Sequence, residues 1–202
     1  MKLFVLNALA ALLVSCTHSH PPLQTVKNFN LNRYDGEWHE VARLPNRFEQ
    51  GLVAAKATYG VGLDGPVSVR NVGLKEDGTL TNITGSASVV GDGKLKVRFD
   101  PFPANLFAGD YWVLWVNSSY TKAIVGSPNR NFLWLLSKDP GAIARDFTEP
   151  LEFIKAQGFE IEKIIENPQR LAPETSPSLL VLSEGAPNGR KADEGEDNET
   201  PS

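Results

Sequence analysis

Three Asp-Gly pairs, Asp64-Gly65, Asp77-Gly78 and Asp92-Gly93, punctuate the middle of this chain, each between short runs of apolar and β-branched residues. Such a dipeptide supplies the positive φ that a tight hairpin turn demands, so each pair marks a place where one strand folds back on the next. Strands joined in this way at short intervals build an antiparallel sandwich or an up-and-down barrel. No repeat of fixed period runs through the sequence. Residues 26–170 suffice for one domain with a proper core.

Alternation tells which strand faces are wet. In Lys94-Leu95-Lys96-Val97-Arg98-Phe99 the basic residues point one way and Leu95, Val97 and Phe99 the other. Tyr111-Trp112-Val113-Leu114-Trp115-Val116 and Phe132-Leu133-Trp134-Leu135-Leu136 are apolar on both faces, so they need cover outside as well as a partner inside. Ile143, Phe147, Leu151, Ile154 and Lys155 provide it at helical spacing, with Gly158 as a stop. Pro150 would cost about 3 kcal/mol in a helix interior. It is therefore expected in the first turn of a helix that Thr148 caps. The fold expected is all-β: an eight-stranded antiparallel up-and-down barrel with one C-terminal flanking helix. Eight strands is about the count at which an interior holds one small ligand.

Both ends lie outside this domain. Lys2 precedes an apolar run from Leu3 to Val14, broken by Asn7. That run falls well short of the roughly 20 residues that span a bilayer, so residues 1–15 read as a signal peptide. Leu13-Val14-Ser15-Cys16 resembles a bacterial lipobox, which implies cleavage before a lipidated Cys16, with residues 16–25 as a linker; an ordinary signal peptide with a free thiol is the other reading. Thr17, where an aspartate would retain a lipoprotein, implies an outer-membrane, periplasm-facing destination. Cys16 is the only cysteine. That excludes an intrachain disulfide, a CxxC zinc site and dithiol redox chemistry. Residues 171–202 carry Pro173, Pro177, Pro187 and the cluster Asp193-Glu194-Gly195-Glu196-Asp197, too polar to repay the entropy of ordering. The net charge of −4 is concentrated in this tail, and the neutral body is not built to hold nucleic acid.

The residues that name a family begin at Asn28-Phe29 and continue through Arg33-Tyr34-Asp35-Gly36-Glu37-Trp38-His39-Glu40-Val41-Ala42-Arg43. With Asn46-Arg47-Phe48-Glu49-Gln50-Gly51-Leu52 and the blocks Ala123 to Pro128 and Asn131 to Lys138, this stretch resembles the lipocalins. It is most similar to the branch holding the bacterial lipocalins and apolipoprotein D, over residues 26–169. The resemblance implies a barrel base built on Gly36, Trp38 and Lys138, where the family usually has arginine at the last position. It also places Ser118-Ser119-Tyr120 where the family carries Thr-Asp-Tyr. A possible homodimer comes with the branch.

Counting by twos from Trp38 puts Glu40, Ala42 and Leu44 inside. The family register adds Ala55, Ala57, Tyr59, Val61, Val69, Asn71, Ala87, Val97, Phe99, Tyr111, Val113, Trp115, Val125, Phe132 and Trp134. Of these, Ala57, Tyr59, Asn71, Phe99, Tyr111, Val113, Phe132 and Trp134 are the expected ligand contacts. Bulk apolar contact with sparse polar groups suits a fatty acid or lysophospholipid. A bulky Trp115 would make the cavity shallow. Residues 45–53 and 100–109, with Phe102, Leu106 and Phe107, would form the entrance. A barrel filled by its own side chains, acting through loops or the acidic tail, is the second reading. An enzyme acting on a lipid is the third, with Glu40 its one buried carboxylate. His18 and His20 read as spacer, His39 faces outward, and no nucleophile elbow, P-loop or metalloprotease motif occurs. No catalytic residue, cofactor or metal is therefore expected.

Overall fold

The computed structural model describes residues 20–168, except 63–64, 102–105 and 107, together with residue 171. The expectations for the signal peptide, Cys16, Phe102, Phe107 and the tail beyond residue 171 lie outside the described residues.

Eight strands, β1 (Gly36–Arg43), β2 (Leu52–Gly60), β3 (Val67–Lys75), β4 (Leu80–Gly91), β5 (Lys94–Phe99), β6 (Gly109–Val116), β7 (Lys122–Gly126) and β8 (Leu133–Ser137), pair antiparallel in sequence order. β1 pairs with both β2 and β8, which closes the barrel. Gly78 and Gly93 sit in their hairpins at φ 84° and 68°. A ninth strand, β9 (Ile165–Glu166), pairs with Ala42 and Arg43, above the stretch of β1 that β2 occupies. Two residues ahead of Asn167-Pro168 are too few to show an alternation, which is why the sequence did not announce it.

A single turn, α1 (Leu31–Tyr34), precedes β1, and the Asn30 side chain accepts from the Arg33 N–H at 3.2 Å. The long helix α2 (Thr148–Ala156) follows a 3-10 turn over Ala144–Phe147. Pro150 lies in the first turn of α2, where no intrahelical donor is lost. Thr148 is not the cap that was expected: it is already helical, and its hydroxyl donates back to the Arg145 carbonyl at 2.8 Å. Gly158, at φ 94°, ends the helix.

Two cores result. The inner one lies within the barrel, around Trp38, Val69, Val97, Val113, Val125 and Leu136. The outer one lies between the sheet and α2, where Phe147 and Ile154 are fully buried against Ile124, Leu133 and Leu135. Each such side chain contributes about 1.5–3 kcal/mol. The cover is tight over Gly126, where a Cβ would stand 2.9 Å from Phe159 Cζ and 3.0 Å from Leu114 Cδ1.

Two β-bulges correct the inward assignments. The β1–β8 register slips between Glu40 and Ala42. Ala42 and Leu44 therefore join the outer core, and Arg43, paired with the inward Trp134, takes the inner face. A second slip falls between Val113 and Trp115. It turns Trp115 outward with Ile124, its ring edge-on to Phe147 at 6.4 Å. Trp115 consequently does not shorten the interior. In both places an extra residue moves everything after it to the other face.

The segment before α1 straps the outside of the barrel. At the end of the barrel that holds residues 45–51, Arg130 donates to the Pro21 carbonyl at 2.6 Å. Val26 N–H donates to Val113 O at 3.0 Å farther along, and Asn28 and Phe29 N–H groups end on the Asp92 carboxylate at the opposite end. Those two bonds hold the Asp92 carboxyl below its usual pKa. Among the described residues, no helix is long and apolar enough to cross a membrane.

Candidate functional site

The floor of the barrel is a stack of aromatic rings. Gly36 enters β1 at φ 101°, a left-handed backbone that other residues adopt only with strain. Two residues on, Trp38 is fully buried, its ring stacked on Tyr34 at 4.4 Å and its N–H donating to the Tyr34 carbonyl at 2.8 Å. Lys138 carries its ammonium 5.1 Å from the Trp38 ring centre and donates to the carbonyls of Arg33 (3.1 Å) and Asp35 (2.7 Å). In the altered Ser118-Ser119-Tyr120 turn, Tyr120 stands at φ 57° and its hydroxyl accepts from Asn30 N–H at 2.9 Å. Above Trp38, the hydroxyls of Tyr34 and Tyr59 each lie 2.8 Å from that of Tyr111. Burial raises all three phenol pKa values above normal.

Midway up, Ala57 and Asn71 are cross-strand partners on the inner face, and Val113 is fully buried. Ala57, Phe99, Tyr111 and Trp134 are only half-buried, although they belong to the inner core. The Asn71 Oδ1 is buried and finds no hydrogen-bond partner among the described residues. Phe132 is not on the wall. It precedes β8 and lies at the rim, stacked between Trp134 (5.7 Å) and the exposed Phe48 (5.9 Å).

The upper wall holds a group that counting by twos missed. Arg43 donates to Glu40 at 2.8 Å, to the Asn167 side chain, and to the carbonyls of Glu49 (3.0 Å) and Leu52 (3.2 Å). Asn167 returns a bond to Glu40 at 3.0 Å, and Trp134 N–H reaches Glu49 at 3.0 Å. The guanidinium thus ties β1, the rim loop and the end of β9 together. Burial and the neighbouring Glu49 carboxylate outweigh Arg43, so the Glu40 pKa is pushed up to about 8. His39 faces the outside, as expected, with Nε2 3.2 Å from Glu37. The arrangement offers an apolar interior with a hydroxyl cluster below and a neutralised polar clasp above. Among the described residues it pairs no nucleophile with a base.

The sequence profile of the lipocalin-like domain matches residues 29–169. Temperature-induced lipocalin-1 of Arabidopsis thaliana is 35% identical over 171 residues, covering 81% of this chain and 91% of that protein. The outer membrane lipoprotein Blc of Escherichia coli strain K12 is 36% identical over 174 residues, covering 82% and 96%. The solved structure of insecticyanin from the tobacco hornworm Manduca sexta superposes with a TM-score of 0.57 at 20% identity, over 73% of this chain and 85% of that one, a likeness of fold alone. The closed antiparallel barrel, its flanking helix and these matches agree: the chain belongs to the lipocalin family, in the company of the Blc-type bacterial lipoproteins.

Proposed function

We propose that this protein is a lipid-anchored carrier that holds a fatty acid, lysophospholipid or similar amphiphile inside the barrel, in service of envelope lipid upkeep. The observation that carries the reading is the half-burial of Ala57, Phe99, Tyr111 and Trp134 on an inner face. Side chains in a filled barrel would be sealed, so residual exposure at inner-face positions is the mark that a lumen would leave. Each methylene placed there would contribute about 0.8 kcal/mol, so a dozen would sustain micromolar binding after ordering costs of several kcal/mol.

Anchoring through Cys16 fits the same reading. Cys16 is five residues from Pro21, a reach of at most about 18 Å, and Arg130 holds Pro21 at the rim. A lipid on Cys16 would keep the mouth of the barrel beside the bilayer from which it loads. The relatives named outer membrane lipoproteins support that location.

Native mass spectrometry of the full chain carrying Cys16→Ser tests the carrier role, followed by fatty-acid displacement read through tryptophan emission. A co-purifying amphiphile displaced at micromolar concentration supports it. An apo mass with no response to fatty acids or lysophospholipids overturns it.

A further inference from the structure

Three phenols meet at the floor of the barrel, and their hydrogen atoms do not balance. Tyr59 donates to the Tyr111 oxygen at 2.8 Å, and Tyr34 and Tyr111 share a second bond of 2.8 Å. Each hydroxyl carries one donor, so two bonds use two of the three O–H groups and one is left over. Tyr34 is 2% exposed and Tyr59 6%, whereas Tyr111 is half-buried on the inner face. An unused O–H on Tyr34 would be buried with no other acceptor for it among the described residues, at a cost of about 1–3 kcal/mol. Both neighbours donating to Tyr111 avoids that cost and leaves the Tyr111 O–H for the interior. An oxygen that accepts two bonds is also the stronger donor.

A second polar group waits above it. Asn71 lies two residues along β3 from Val69, the cross-strand partner of Tyr59, and therefore on the same face roughly 7 Å higher. Its Oδ1 is buried and unpaired among the described residues.

The geometry points to a polar subsite in the lower part of the barrel, where the Tyr111 O–H offers a donor and the Asn71 Oδ1 an acceptor for an uncharged hydroxyl at the inner end of a long-chain ligand. A hydroxyl is the smallest group that accepts and donates at once. The phenols and the amide bring no positive charge, and the Arg43 guanidinium is held in the upper wall by Glu40, Asn167 and the rim loop. A carboxylate would gain no ion pair at the floor. This inference rests on the carrier reading and extends it to the group at the buried end of the ligand.

Two neutral probes of matched length, decan-1-ol and 1-chlorodecane, test it by competition against a tryptophan-quenching fatty acid on the full Cys16→Ser chain. The measured quantity is the ratio of their affinities. That ratio should fall about fivefold in Tyr111→Phe. Asn71→Leu, which leaves the tyrosine cluster intact, should lower it similarly and decides the matter should Tyr111→Phe not fold. A ratio unchanged in the folded variants overturns the subsite while leaving the carrier role standing. Failure of either probe to bind the parent chain, with no response to fatty acids, overturns both.

Discussion

Arg43 and Glu40 meet at 2.8 Å inside the barrel, three residues apart on one strand, because the bulge between Glu40 and Ala42 brings both side chains to the same face. Without the extra residue Arg43 would lie on the outer face, under α2. With it, one guanidinium joins β1 to the rim loop and to the residue that follows β9. Removing the guanidinium leaves the buried acceptors of Glu40, Asn167 and the rim loop without their donor, so Arg43→Met is expected to cost about 1–3 kcal/mol in urea unfolding. A loss below about 1 kcal/mol would show that the clasp is not held in solution.

The same pair sets a pH dependence. Glu40 holds its proton more tightly when folded, with its pKa raised from 4.5 to about 8. Between those values the unfolded chain has released a proton that the folded chain retains, so rising pH favours unfolding. The stability contributed at this site is therefore full below pH 4.5 and lost as pH climbs through 8. Glu40→Gln cannot titrate. Its stability relative to the parent should rise steadily across that window, and parallel profiles for the two proteins would refute the shift.

At the base, Lys138 stands in for the arginine usual in the family. Its ammonium lies 5.1 Å from the Trp38 ring centre and binds two carbonyls at the α1 turn. Lys138→Met keeps most of the stem and should cost about 1–2 kcal/mol. Lys138→Arg should restore most of it. Trp38→Ala, which empties a fully buried site, should cost about 3–5 kcal/mol. Thermal and urea unfolding of the three variants gives the order directly.

How far the sequence could be read depended on whether polar residues marked the strand faces. Lys94, Lys96 and Arg98 label the outside of β5, and its inner face was legible from them. Asp77-Gly78 and Asp92-Gly93 marked two of the hairpins, and Gly158 marked the end of α2. The bulge in β1 left a trace in the doubled apolar pair Val41-Ala42 between Glu40 and Arg43, although counting by twos steps over it. The bulge in β6 left none, since Val113-Leu114-Trp115-Val116 offers no polar residue to show a change of face. Glu49 and Asn167 reach the site from a loop and from beyond a two-residue strand, where periodicity carries no information.

The second bulge separates two tryptophans that the sequence put on one wall. Trp115 lies against Phe147 outside, so Trp115→Ala should destabilise by about 2 kcal/mol or more while leaving fatty-acid affinity unchanged. Ala57 lies on the inner face beside Asn71. If the interior is open, Ala57→Phe fits within it, leaving stability nearly unaltered and lowering affinity at least tenfold. If the interior is filled, the same change overpacks it and costs about 1–3 kcal/mol. Measuring unfolding and binding on this one variant distinguishes a lumen from a packed core.

Phe48 is 68% exposed and continues an aromatic ladder through Phe132 to Trp134, which leads from solvent to the inner face. Leu106, 60% exposed, belongs to the other loop expected at the entrance. Large apolar side chains held in water contribute little to folding, so Phe48→Ser and Leu106→Ser should change stability by less than about 0.5 kcal/mol. At a bilayer they would contribute about 25 cal/mol per Å² of apolar surface buried. The short tether from Cys16 to the strapped Pro21 would bring them there. The double variant should therefore bind a soluble fatty acid as the parent does, yet extract it from phosphatidylglycerol–phosphatidylethanolamine vesicles several-fold more slowly. Equal extraction rates would mean that the ladder guides the ligand without touching the membrane. Loss of binding in free solution would place these residues in the ligand site itself.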